Sequence, residues 1–284
     1  MTVPSASPDP EALLGIALEA ARAAVHIIVD ERPAVLDAET KSTPTDLVTE
    51  MDRRSEAAIR AVIRAHRPHD LIVGEEGGTT HGDASGPDEE RRDGADPPDD
   101  TVTWWVDPID GTTNYVYDHP GYAVSIAAGT GATVLAGVVA DPTHGRTYRA
   151  TLGGGAFCDD TALRLGPPRP LEHALIATGF SYDATARREQ VELLSRVIAD
   201  VRDIRRVGAA SLDLCAVASG RVDAYFEAGL SVWDYAAGAL VATEAGAVVT
   251  SIDGGAVRPG SVLCAHPDLA DTLIRTLARA AAAP

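Results

Sequence analysis

The apolar run Trp104 to Val106 leads directly into Asp107-Pro108-Ile109-Asp110-Gly111-Thr112-Thr113-Asn114. Pro108 fixes its own φ and has no N–H to donate, while Gly111 permits a tight bend. That pattern lets both carboxylates face one point. Thr112, Thr113 and Asn114 then offer backbone N–H groups as a helix begins, a natural cradle for phosphate. A second pair of acids, Glu75-Glu76, follows the apolar run Leu71 to Val73 and Gly74. Oxygen donors with no His or Cys close by select hard cations, Mg²⁺ first among them. The eight histidines show no zinc-type spacing, and there is no Walker phosphate loop. A lone Asp-x-x-Asp is more often a turn with a helix-capping aspartate. Here the acids do not stand alone. Asp46-Leu47-Val48-Thr49-Glu50-Met51-Asp52 places one directly before a helix, and Trp233-Asp234-Tyr235-Ala236-Ala237-Gly238 places one at a helix start. Taken singly, Asp52 and Asp234 each read as an N-cap.

The elements that must position these acids are legible from hydrophobic spacing. Glu11 to Asp30 carries apolar residues at helical intervals, and Arg53 to His66 repeats the pattern. Short apolar runs halted by Gly or Pro predict strands at Leu71 to Val73, Trp104 to Val106, Val124 to Gly129 and Val134 to Val139. The second half predicts strands at Leu175 to Thr178, Asp203 to Val207, Val222 to Phe226, Val248 to Ser251 and Val262 to Ala265. Helices are expected at Ala184 to Ile198, Ser211 to Ser219 and Trp233 to Glu244, with a last one from Pro267. Adjacent strands in the middle require antiparallel hairpins, so layered α and β with mixed sheets fits better than a purely doubly wound sheet. There is no internal repeat and no interdomain linker.

At 284 residues the chain can bury a sizeable core, and its 45% hydrophobic and 23% charged composition is that of an ordinary globular protein. Its net charge of −18 repels phosphate backbones and anionic lipid, which argues against nucleic acid and membrane surfaces as partners. No run approaches the roughly 18 apolar residues of a membrane span. Met1 to Pro10 lacks the charged and apolar regions of a signal peptide. With Cys158, Cys215 and Cys264 as odd, distant thiols, these features predict a cytoplasmic protein. A third of the charge imbalance falls in Thr79 to Thr103, where eight acids face Arg91 and Arg92. This reads as a solvated, flexible insertion with little to bury. Lys41 is the only lysine among 24 basic residues.

Four segments in order carry a resemblance. Lys41-Ser42-Thr43-Pro44-Thr45-Asp46-Leu47-Val48-Thr49, Gly74-Glu75-Glu76, the Asp107 to Asn114 motif and Trp233 to Gly238 together resemble the inositol monophosphatase family of Mg²⁺-dependent, Li⁺-sensitive phosphatases. The resemblance spans nearly the whole chain. It implies one domain over residues 1–284 with the family's αβαβα five-layer sandwich of mixed sheets, the insertion at about 79–103, and usually a homodimer. It also implies hydrolysis of a small phosphate monoester, foremost inositol 1-phosphate, by in-line attack of a metal-activated water. By the same matching, Glu75, Asp107 and the Ile109 carbonyl correspond to ligands of a first Mg²⁺. Asp107, Asp110 and Asp234 correspond to ligands of a second, and Glu75 with water to a weaker third. Thr112 with Asp52 is similar to the pair that orients the attacking water, with Glu75 beside them. Glu227 matches the acid that holds substrate hydroxyls. Gly208, Ala209 and Ala210 match a substrate-lining turn, the resemblance makes Gly111, Thr112, Thr113 and Asp234 substrate-binding as well, and Lys41 matches a lysine on a loop near the site.

The departures from the family pattern lie on the substrate side. The Glu75 to Asp107 gap is longer than usual, Ala209 stands where many relatives have Ser or Thr, Ser211 offers a hydroxyl two positions later, and Tyr115 replaces the common Phe. Two other readings stay open: a related phosphatase acting on histidinol phosphate, fructose 1,6-bisphosphate or a phosphoadenosine, and a non-catalytic interaction protein on the same fold. An intact set of acids speaks against the latter, because buried carboxylates without a cation repel one another.

Overall fold

A computed structural model describes residues 8–80 and 101–282. The chain opens with α1 (Pro10–Asp30), a ribbon of β1 (Ala38–Thr40) and β2 (Leu47–Thr49), and α2 (Glu50–His66). Next come β3 (Leu71–Gly74), β4 (Gly78–Thr80), β5 (Val102–Asp110) and the short α3 (Thr112–Val116). A meander follows of β6 (Ala123–Thr130), β7 (Thr133–Asp141), β8 (Arg146–Thr151), β9 (Gly155–Cys158) and β10 (Thr161–Leu163). The remainder is β11 (Leu175–Thr178), α4 (Ala184–Val197), β12 (Asp203–Arg205), α5 (Ala210–Ala218) and β13 (Ala224–Ala228). It closes with α6 (Val232–Glu244), β14 (Val248–Thr250), β15 (Ser261–Ala265) and α7 (Pro267–Ala282).

Strands β3 to β10 form one sheet in the order β10-β9-β8-β7-β6-β5-β3-β4, and β11 to β15 form a second in the order β12-β11-β13-β15-β14. Both are mixed: β3 runs parallel to β5 in the first, and β11 parallel to β12 and β13 in the second, among antiparallel neighbours. Three apolar clusters bind the layers. One joins α1 and α2 to the larger sheet, one encloses α5 and α6 between the sheets, and one joins the outer face of the smaller sheet to α7 and the end of α4. The order of layers is therefore αβαβα, as the resemblance implies.

By length and apolar composition α1 could cross a membrane, contrary to the expectation that no run comes close. Its stripe of Leu13, Leu14, Ala17, Ala20, Ala21, Ala24 and Ile28 is instead buried in the cluster with α2 and the larger sheet. The small alanines let the helix lie close to its neighbours. Asp9 caps it, accepting the Glu11 N–H at 3.1 Å, with Pro10 in the first turn.

Several elements differ from expectation. The hairpins β8 to β10 carry no apolar run, because polar residues interrupt the apolar ones along partly exposed strands at one end of the larger sheet. The acidic segment is shorter than 79–103: Thr79 and Thr80 belong to β4, Val102 and Thr103 to β5, and residues 81–100 lie outside those described. Strand β5 continues to Asp110, so the two aspartates stand in a strand and not in the loop after it. Strand β13 lies two residues later than predicted and contains Glu227.

Candidate active site

The aspartate pair is aimed by a bulge. Opposite β6, Asp107 pairs with Ser125 and Asp110 with Ala123, so three steps along β5 answer two along β6. In an unbroken strand, residues three apart point to opposite faces. The extra residue restores parity, and both carboxylates line one cavity of about 100 Å³. The bulged backbone is tied down on both sides. The Ile109 N–H donates to Asp107 Oδ1 at 3.0 Å, and the buried Ser55 hydroxyl of α2 donates to the Pro108 carbonyl at 3.1 Å. Gly111 then turns the chain with φ +92°; a Cβ there would lie 2.8 Å from the Gly121 carbonyl oxygen and 3.0 Å from that of Gly208.

Asp52 and Asp234 are not N-caps. Each is the third residue of its helix and closes a capping box, with Thr49 and Ser231 as the caps. The position divides the carboxylate's labour. Asp52 Oδ2 accepts the Thr49 N–H at 2.8 Å and its hydroxyl at 2.6 Å, while Oδ1 faces the Thr112 hydroxyl at 3.1 Å. Asp234 Oδ2 accepts the Ser231 N–H at 2.7 Å, and the residue lines the cavity. The Thr112 hydroxyl is also 3.0 Å from the Ile109 carbonyl. With one proton to give, it donates to one of these acceptors at a time and keeps lone pairs to accept from elsewhere.

Glu75 and Glu76 sit on a turn built by α2. The buried Glu56 carboxylate accepts the N–H groups of Glu76 at 2.7 Å and Gly77 at 2.8 Å, and Arg60 holds it in place at 2.7 Å. Lys41 bonds to Glu75 at 2.8 Å and also to Glu76. Its loop is pinned to the far side of the site, where the Thr45 hydroxyl donates to the Tyr182 carbonyl at 3.0 Å.

The sequence-selected residues fall into two groups. Glu75, Asp107, Ile109, Asp110, Gly111, Thr112, Gly208, Ala210, Glu227 and Asp234 line the cavity. Lys41 and Asp52 stand behind it, touching Glu75 and Thr112. Thr113 and Ala209 do not line it; Ala209 is the buried cap of α5.

The charges are poised for a cation. Burial pushes Asp107 well above the usual carboxylate range, with Glu75, Asp110 and Asp234 adding repulsion. Burial likewise raises Asp234, with Asp110 and Glu75 adding to it, and brings Asp110 up to about 6 against three hydrogen bonds that favour its charged form. Glu75 is raised by burial, with Lys41 opposing. Burial would lower Lys41, but Glu75 and Glu76 outweigh it and hold the ammonium above its ordinary value. No three His, Cys, Asp or Glu side chains among the described residues form a ready-made metal cluster. The acids are instead drawn to protein donors: Glu75 to Lys41, Asp110 to the start of α5, Asp234 to Ser231. An all-oxygen set of desolvated, mutually repelling acids fits a hard divalent ion by donor chemistry.

The profile of the inositol monophosphatase family matches residues 9–282. The chain belongs to that family. As such it is a phosphoric monoester hydrolase. It is 47% identical over 246 residues to the inositol-1-monophosphatase SuhB of Mycobacterium tuberculosis H37Rv, covering 84% of this chain and 80% of the relative. It is 37% identical over 270 residues to Pasteurella multocida SuhB, named a Nus factor, covering 93% and 95%. The extragenic suppressor protein suhB of Bartonella henselae has a similar crystal structure, with a TM-score of 0.83 at 32% identity over 94% of this chain and 98% of that one.

Six further residues line the inositol-monophosphatase cavity: Asp46, Leu47, Phe180, Tyr182, Arg206 and Leu230. Asp46 and Leu47 lie inside the first matched segment. Phe180 and Tyr182 follow β11 at a strand end, the same kind of place that flagged the acids, and Arg206 precedes Gly208 by two residues. Asp213 of α5 is buried behind the site, with both carboxyl oxygens lacking a partner among the described residues. Burial, then Glu227 and Asp110, push it well above the carboxylate range.

Proposed function

We propose that this chain hydrolyses inositol 1-phosphate to inositol and phosphate in a Mg²⁺-dependent reaction, by in-line attack of water. The observation that carries this reading is the convergence of Glu75, Asp107, Asp110 and Asp234 from three separate segments on one cavity. The first Mg²⁺ would be held by Glu75, Asp107 and the Ile109 carbonyl, the second by Asp107, Asp110 and Asp234, and a weaker third by Glu75. Bound there, the ions would supply positive charge to both the attacking and the leaving oxygen and offset the −18 that repels a phosphate dianion.

The protein's own groups do the rest. With its hydroxyl donating a hydrogen bond to Asp52, the Thr112 oxygen accepts a hydrogen bond from the attacking water and so orients it. Glu227 takes substrate hydroxyls from the opposite wall. Its carboxylate is fixed by the Tyr225 hydroxyl at 2.8 Å, and a side chain at Gly179 would collide with it at 1.9 Å. Phe180, Tyr182 and Leu230 add apolar surface to the cavity wall, and Arg206 in the same lining would offer a cation to the phosphoryl group or its ester oxygen.

Family membership supports inhibition by Li⁺ and a homodimer, the latter checked by sedimentation. The free thiols Cys158, Cys215 and Cys264 support a cytoplasmic setting. The acidic surface supports a small phosphate ester as partner and neither nucleic acid nor membrane. The relatives named Nus factors favour a second reading, in which a Nus role accompanies turnover; a variant without turnover that kept such a role would support it. Phosphate release from inositol 1-phosphate, histidinol phosphate, fructose 1,6-bisphosphate and a phosphoadenosine, each with Mg²⁺ and then EDTA, tests the main reading. Inositol 1-phosphate should be preferred, and EDTA should stop every reaction.

A further inference from the structure

Helix α5 starts at Ala210, and its cap, Ala209, has no side-chain oxygen to satisfy the first-turn amides. The missing acceptor comes from the end of β5 in the larger sheet. Asp110 Oδ1 takes the Ala210 N–H at 3.2 Å, and Oδ2 takes the Ser211 N–H at 2.8 Å and the Ser211 hydroxyl at 2.5 Å. Ser211 is fully buried, Asp110 is 8% exposed, and this is the hydroxyl's one bond among the described residues. A carboxylate offers about four acceptor sites. Three are filled from one side, so the carboxylate cannot rotate freely and its remaining capacity faces the cavity that Asp110 lines.

The geometry points to Ser211 as a positioning residue: its hydroxyl fixes the Asp110 carboxylate for the divalent cation. This rests on the reading of Asp110 as a metal ligand. The cap position, Ala209, has no hydroxyl, while Ser211, two residues into the chain beyond it, places one on the ligand itself. Two bonds to Oδ2 from one residue, an amide and a hydroxyl, hold the carboxylate plane more firmly than the amides alone. Partners that orient a metal-ligating side chain typically change metal affinity about 10–100-fold when removed.

Ser211→Ala and Ser211→Cys form a graded pair, since a thiol keeps the bulk but donates only weakly. Mg²⁺ binding is read by calorimetry, alongside the Mg²⁺ dependence of phosphate release and the melting temperature in EDTA. Ser211→Ala should raise the Mg²⁺ dissociation constant at least about tenfold, with Ser211→Cys in between. Turnover at saturating Mg²⁺ should stay within about threefold of wild type, and both variants should still melt cooperatively. Wild-type Mg²⁺ affinity in Ser211→Ala would overturn the inference and leave the metal reading intact. So would lost turnover at saturation with an unchanged metal constant. A wild-type chain that binds no Mg²⁺ would overturn both.

Discussion

Asp107 is the residue on which the chemistry converges. It is 2% exposed, faces Glu75, Asp110 and Asp234, and is the shared ligand of both proposed ions. Asp107→Asn removes one charge from that cluster, so turnover should fall to background while the metal-free melting temperature stays equal or rises. Loss of folding together with activity would mean the carboxylate has a structural role instead. Glu227 poses a separate question, because it lies beyond the ligands and is pushed up to about 7, first by burial. It accepts substrate hydroxyls more strongly when ionised, so binding of a polyol phosphate should improve as pH rises through about 7. Glu227→Gln should lower kcat/KM for inositol 1-phosphate at least about tenfold, worth ~1.4 kcal/mol, and spare a simple aryl phosphate. Equal damage to both esters would place Glu227 among the metal ligands.

Elements aim these residues, and the most demanding joint is the one between β5 and α3. Gly111 combines a left-handed φ of +92° with two backbone oxygens where a Cβ would sit. Gly111→Ala should cost more than about 1 kcal/mol in denaturant unfolding and reduce kcat together with stability, since neither carbonyl can step aside cheaply. A stable, fully active variant would show that the joint is soft. The long apolar helices and central strands were legible in the sequence because burial imposes their periodicity. The same spacing could not show that Asp107 and Asp110 stand in a strand, since a bulge is visible only against the partner strand β6. Nor could it separate a cap from the third residue of a capping box, because Asp52 and Asp234 sit beside Thr49 and Ser231, which are equally good caps. The hairpins β8 to β10 and the wall of Phe180, Tyr182 and Leu230 depend on long-range packing and left little local trace. Glu75, Asp107, Asp110, Thr112, Glu227 and Asp234 were legible through the ordered motifs, more than through periodicity.

For the whole molecule, a stock of raised carboxyl groups couples stability to pH and to metal. Asp110 at about 6 and Glu227 at about 7 lie above their unfolded values of 3.8 and 4.5. Between those limits the folded chain binds protons that the unfolded chain releases, so stability is fully present at the low end and falls as pH rises toward 7. In EDTA the melting temperature should therefore drop from pH 5.5 to about 7.5, and the gain on adding Mg²⁺ should grow over the same range, because ligation favours the deprotonated acids. A metal-free melting temperature that rises with pH would contradict this. Metal-dependent hydrolysis is tested most directly by phosphate release from inositol 1-phosphate by the purified chain, in Mg²⁺ and then in excess EDTA. Turnover should be abolished by EDTA and restored by added Mg²⁺. Undiminished release in EDTA, or none from inositol 1-phosphate in saturating Mg²⁺, would contradict it.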